Sequence, residues 1–148
     1  MKSKTTAAWL SFLGGPLGLH RRYLHGWRDR WAWLYPIPTL IGLYGVARAR
    51  ALGLDDALSW VLIPFLGFIF AATALQAIVY GLMAPAQWNA RFNPGAAPEH
   101  EAGASHWGTI FAVVLALMVG AGVLMATLAF SFQGYFEHEV DEARKISQ

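Results

Sequence analysis

Four arginines are interleaved with aromatic and imidazole side chains in one short stretch, His20-Arg21-Arg22-Tyr23-Leu24-His25-Gly26-Trp27-Arg28-Asp29-Arg30. A guanidinium is a planar fork that fits phosphate oxygens two at a time, and Tyr and Trp rings settle at headgroup depth. Arg21, Arg22, Arg28 and Arg30, with Tyr23 and Trp27 as anchors, therefore form a candidate anionic-lipid site. Each basic residue near an anionic surface contributes about 1 kcal/mol. The plainer reading of the same residues is a basic loop that orients the chain in a membrane and has no ligand of its own.

Other reactive groups are sparse. Glu-His-Glu occurs twice, at Glu99-His100-Glu101 and Glu137-His138-Glu139, and carboxylate with imidazole is a metal-ligand set. An apolar run separates the two tripeptides, which favours solvated loops over a shared site. His20 and His25 are five apart, off the spacing that puts two ligands on one helix face. Ser11 has no nucleophile-elbow sequence around it. The chain has no cysteine, which excludes disulfides, thiolate nucleophiles and Cys-ligated zinc. Neither an enzyme nor a cofactor or metal is expected, and a net charge of only +2 with the basic residues clustered suits a membrane interface better than nucleic acid.

The elements that must carry these residues are apolar. Of 148 residues 56% are hydrophobic and only 14% charged, against about 25% charged in soluble domains. Four apolar runs stand out: 5–19, 31–47, 57–86 and 108–132. The first is short for a bilayer crossing, which takes roughly 20 residues. Pro36 and Pro38 make the second a kinked or broken span, and the third must tilt, kink at Pro64 or emerge. Residues 87–107 read as a loop with a turn at Asn93-Pro94-Gly95, and residues 133–148 as a frayed or short interfacial helix. Trp27, Trp31, Trp33, Trp60, Trp88 and Trp107 sit near the run ends, as in an interfacial belt.

Small residues mark packing faces. Gly14 and Gly18 permit a close helix crossing or hairpin at the end of the first run, or simply an early stop at a Gly-Pro turn. Thr73, Ala77 and Gly81 on the third run, and Ala112, Ala116 and Gly120 on the fourth, recur at every fourth residue. That spacing suits backbone-close packing, within the chain or across a dimer. Polar side chains inside the runs are few: Thr39, Thr73, Gln76, Thr109 and Thr127. Gln76 reads as a helix-to-helix hydrogen bonder before a pore residue.

The segment from Lys4 to Asp56 resembles the two-transmembrane-helix (TM-two) domain family. The resemblance rests on Ala7-Ala8-Trp9-Leu10, Phe12-Leu13-Gly14-Gly15 and Gly18-Leu19-His20-Arg21-Arg22-Tyr23-Leu24. Here Arg22 stands where the family has Phe, His25 precedes Gly26, and Arg48 stands nearest the family's acidic position at the end of the second helix. The resemblance implies a membrane hairpin over residues 1–56; residues 57–148 have no parallel in the family unit, and their own apolar runs add two further spans, with a polar loop and an acidic tail.

The expectation is thus an all-α, multi-pass integral membrane bundle with four spans and a short first hairpin, in a bacterial inner or plasma membrane. Four crossings put Lys2, Lys4, Arg48, Arg50, Arg144 and Lys145 on one face and Arg21, Arg22, Arg28, Arg30 and Arg91 on the other. Six against five does not orient the chain by the positive-inside rule; the resemblance puts the first loop in the cytosol. The function expected is a structural or interaction module whose partners are the bilayer, anionic lipid and a second copy or another membrane protein. The alternative is a subunit of an oligomeric channel or small-solute transporter.

Overall fold

The computed structural model describes residues 1–53 and 55–146, and the described residues are all-helical or irregular, with no strand. Six α-helices occur: α1 Lys4–Gly14, α2 Leu19–His25, α3 Pro36–Leu52, α4 Ala57–Leu82, α5 Pro85–Phe92 and α6 Trp107–Ile146. Short 3-10 turns at Gly15–Leu17, Arg30–Trp33 and Glu101–Gly103 join them.

The frame is an antiparallel pair, α4 against α6. Gly81 abuts Val113, Ala74 abuts Gly120, Gly67 abuts Thr127 and Trp60 abuts Gly134, so both helices step by seven residues between contacts. A Cβ at Gly120 would stand 2.6 Å from that of Ala74, and one at Gly134 2.5 Å from the Trp60 ring. Glycine therefore sets how close the axes come, which gives dispersion contact between the two backbones. Ala77 and Ala116 join Ala74 and Phe12 in one cluster, and Ala112 is also fully buried. Thr73 serves another contact, packing on Gly15.

The pattern is inside-out for a protein in water. The buried residues of α6 are Thr109, Ala112, Ala116, Gly120 and Thr127. Phe111, Leu117, Met118 and Met125 point outward, as do Val61, Phe65, Leu75 and Val79 on α4. Only 22% of the most apolar window of either helix is buried. Both helices are long and apolar enough to cross a bilayer.

The first apolar run makes a helix of 11 residues, about 16 Å long at 1.5 Å per residue. It runs inward between α4 and α6 from the end where α4 stops. Thr5 and Thr109 share a hydroxyl hydrogen bond of 2.6 Å, and the Trp9 indole donates to Gly108 O at 3.0 Å. At Gly15 the chain turns. Pro16 cannot continue the N–H ladder, and Gly18 takes φ +73° with its Cα against the Ala32 carbonyl, where a side chain has no room. α2 then climbs back to the entry end, placing Leu24 with Ala7, Tyr80, Trp88 and Phe92. Both Gly14 and Gly18 thus belong to a hairpin tip, Gly14 receiving the Leu19 side chain.

Residues 27–35 descend again and α3 continues along the other half of α4. Pro36 and Pro38 fall in its first turn, where no N–H partner is owed, so they start the helix instead of breaking it. Gly42 and Gly45 let α3 settle on Leu66 and Leu62. At the far end Arg48 grips Asp56 with two hydrogen bonds of 2.7 and 3.0 Å. Asp56 also caps α4 by accepting from Ser59 N at 3.0 Å.

Two stretches differ from the sequence reading. Residues 85–92 are helix, begun by Pro85 at its first turn, with Trp88 and Phe92 turned inward. The tail is no separate helix: α6 runs unbroken to Ile146. Continuing the α4–α6 register sets Glu137 opposite Ala57, so the last nine residues of α6 project about 14 Å beyond α4.

Candidate functional site

The basic loop lies at the end of the bundle shared by the N-terminal segment, α5 and the start of α6. Its six sequence-marked residues divide into two groups. Arg21 donates to Asp29 at 2.8 Å, and Asp29 also accepts from Trp31 N at 3.0 Å, starting the turn Arg30–Trp33. The Arg21 bond holds the Asp29 carboxyl below the usual range. Arg22 lies over the Trp33 ring at 4.5 Å and the Trp27 ring at 5.3 Å, a cation–π pair of contacts. The Tyr23 hydroxyl accepts from Ser3 N at 2.8 Å. Arg21, Arg22 and Tyr23 are therefore engaged inside the chain.

Arg28 and Arg30 are exposed and enter no ion pair among the described residues. Around them Trp27, Trp31 and Trp33 are 72%, 64% and 56% exposed. An exposed tryptophan triplet flanking two unpaired guanidinium groups is a surface suited to a phosphate-bearing apolar medium. Arg91, over the Phe92 ring at 5.4 Å, adds a charge at the same end. His25 stands 3.8 Å from Asp29. Burial and the Arg21 charge lower its pKa against the pull of Asp29, so at neutral pH it is an uncharged neighbour.

Beneath the loop, a polar network pins the N-terminal segment. Lys2 N donates to Asn93 Oδ1 at 2.7 Å, and its carbonyl accepts from Trp88 Nε1 at 2.9 Å and Asn93 Nδ2 at 3.1 Å. Trp88 is fully buried there, so unlike the exposed rings it is a core residue and no interfacial anchor. Lys4 is also fully buried, donating to the α4-end carbonyl of Met83 at 3.0 Å and to Ser105 Oγ at 2.7 Å. A cation at a helix C-terminus meets both orphan carbonyls and the negative end of the macrodipole. In sequence Lys4 counts among the charges of one membrane face, and nothing in its neighbours signals this burial.

Deeper, at the hairpin, His20 is fully buried. Its ring meets Tyr35 edge-on at 5.0 Å and Tyr80 at 6.3 Å. Gln76 links the two tyrosines, accepting from Tyr35 at 3.1 Å and donating to Tyr80 at 3.0 Å. Neither His20 nitrogen nor Ser11 Oγ has a hydrogen-bond partner among the described residues, so the two do not form a nucleophile–base pair. Gln76 bridges α3's entry to α4, a role that its position alone allowed but did not specify.

The two Glu-His-Glu tripeptides fall at opposite ends, one leading into the turn Glu101–Gly103 and one where α6 begins to project beyond α4. Among the described residues no group of three His, Asp or Glu converges on a metal-sized point. Comparison with models of protein families, with curated proteins and with solved structures finds no match for this chain. The resemblance to the two-helix family thus stands on its quoted residues.

Proposed function

We propose that this chain is an integral membrane protein that crosses the bilayer three times, and that it works as a structural or interaction module holding anionic headgroups at its basic end. The crossings are residues 31–52, α4 and α6; α1 and α2 dip in from the basic face and return. The single observation that carries this reading is the inside-out distribution, small and polar residues within and large apolar ones without, along both long helices. A soluble bundle with that exposed surface would aggregate.

Sidedness follows from the hairpin. With both its ends at the α5 side, Lys2, Lys4, Arg21, Arg22, Arg28, Arg30 and Arg91 share one face, seven of the 11 Lys and Arg. Arg48, Arg50, Arg144 and Lys145, the other four, share the opposite face. The six against five expected for four crossings becomes seven against four, and the basic face is cytosolic. The chain sits in a bacterial inner or plasma membrane.

The lipid contact is tested with Arg28→Gln/Arg30→Gln in vesicles of mixed phosphatidylglycerol and phosphatidylcholine, reading retained lipid by native mass spectrometry. Two contacts of about 1 kcal/mol each amount to a preference of roughly 30-fold lost. Arg21→Gln should leave that preference nearly intact and instead loosen the Asp29 turn. Unchanged headgroup selectivity in the double variant would leave the loop as a topology signal only.

A transport-linked reading is favoured by one feature, the buried and unpartnered His20 beside Tyr35 and Tyr80, since ionisable groups at bilayer depth accompany ion paths. Proton flux into liposomes that is abolished by His20→Ala would support it; no flux above empty liposomes would remove it.

A further inference from the structure

We infer that α6 pairs with α6 of a second copy in parallel, through the outward seam Gly122, Ala126, Ala129, Phe136, Val140 and Ala143. This inference rests on the membrane reading above, because common insertion gives every copy the same orientation and so a two-fold axis along the membrane normal.

These positions, with Gln133 between them, alternate by four and three residues, the a and d places of a heptad frame. All of them are exposed, on a face distinct from the Gly120–Thr127–Gly134 seam that packs on α4. Within the bilayer the face is small-sided, and a Cβ at Gly122 would meet nothing within 4 Å. That leaves space for another backbone to approach closely.

Beyond α4 the same seam leaves the apolar medium. There Val140 is 50% exposed with no other helix of the chain alongside, and Phe136, level with the first turn of α4 but on the face turned away from it, is 62% exposed. In lipid such side chains need no cover. In water they do.

Charge selects the occupant. In this frame Glu139 takes a g place and Arg144 the e place five residues on, the pair that meets across a parallel dimer. Symmetry supplies that pair twice. The preceding g–e combination, Phe132 with Glu137, sets no like charges together, while Asp141 and Glu142 fall at b and c, away from the seam. A polar residue at an a place, here Gln133, fixes register in such pairs.

The chain has no cysteine, so single cysteines report contact without background. Val140→Cys, Ala143→Cys, Asp141→Cys and Glu142→Cys would be oxidised in native membranes, with carbonate extraction run on the same samples. The seam positions should give a disulfide-linked adduct of twice the chain mass, and the b and c positions should not. Glu139→Arg should weaken pairing about tenfold, two exposed ion pairs being lost, and Arg144→Glu added to it should restore the adduct. Equal yields at all four positions, no adduct at 140 and 143 in carbonate-resistant samples, or an adduct of another mass would each overturn the dimer. Release by carbonate would instead overturn the membrane reading.

Discussion

Gly42→Ala sets two physical effects against each other. Alanine is favoured over glycine in a helix interior by about 1 kcal/mol, so propensity alone makes the substitution stabilising. Packing opposes it. A Cβ at Gly42 would stand 2.5 Å from the Leu66 backbone nitrogen and 2.8 Å from its Cα, and backbone cannot rotate out of the way. Ordinary contact begins at about 3.5 Å, so α3 must withdraw from α4 by about 1 Å. Overpacking of this kind costs about 1–3 kcal/mol, which leaves a net destabilisation of about 1 kcal/mol. Gly45 sits on the same seam, its Cβ position 2.7 Å from Leu62 Cβ and 2.9 Å from Ile63 N. The withdrawal forced by one substitution largely accommodates the other, so Gly42→Ala/Gly45→Ala should be clearly less destabilised than the sum of the singles. Reversible unfolding in detergent micelles, repeated in bicelles, measures all three. A Gly42→Ala protein more stable than the parent, or an additive double, would refute the close α3–α4 seam.

Asp56 is held at about 2 by its bonds to Arg48 and Ser59. A carboxylate depressed from the usual value of about 3.9 contributes stability that is present above pH ~4 and lost as pH falls toward 2. Asp56→Asn should flatten that limb of the unfolding midpoint against pH, leaving a residue from Asp29, which is shifted the same way; an unaltered limb would remove the latch. Asn89 donates to Pro98 O and His100 O, each at 3.0 Å, and accepts from Asn93 at 3.1 Å. Asn89→Ala should cost about 1–3 kcal/mol through stranded carbonyls and open residues 94–106 to protease, and wild-type protection there would show that Asn89 does not hold this segment.

Much of the frame was legible in the sequence because long uncharged runs admit few arrangements. The 57–86 and 108–132 runs contain α4 and the apolar part of α6, and the small-residue spacing of Ala77, Gly81, Ala112, Ala116 and Gly120 marks buried or closely packed positions. Others were hidden for definite reasons. The first run reads as a short span because apolarity alone does not show where the chain reverses; the reversal depends on Gly18 adopting φ +73°. Pro36 and Pro38 suggest a broken helix until its start is known. α5 is short and polar, and its two inward aromatics gain their meaning only from Lys2 and Leu24. In the basic loop, composition marked six residues alike. Only the ion pair to Asp29 and the Trp27–Arg22–Trp33 stack separate those engaged within the chain from Arg28 and Arg30.

Sidedness separates a re-entrant hairpin from a first run that crosses. Single cysteines at Arg28, Glu99, Arg50 and Glu142, all exposed, can be labelled with an impermeant maleimide in intact cells and again after lysis, beside a protease-cleavable tag fused to the N-terminus. Three crossings with a re-entrant hairpin predict that the N-terminal tag and the cysteines at 28 and 99 react only after lysis, while those at 50 and 142 react in intact cells. An N-terminal tag that shares its face with position 142, opposite to position 28, would establish a first run that crosses and contradict the hairpin.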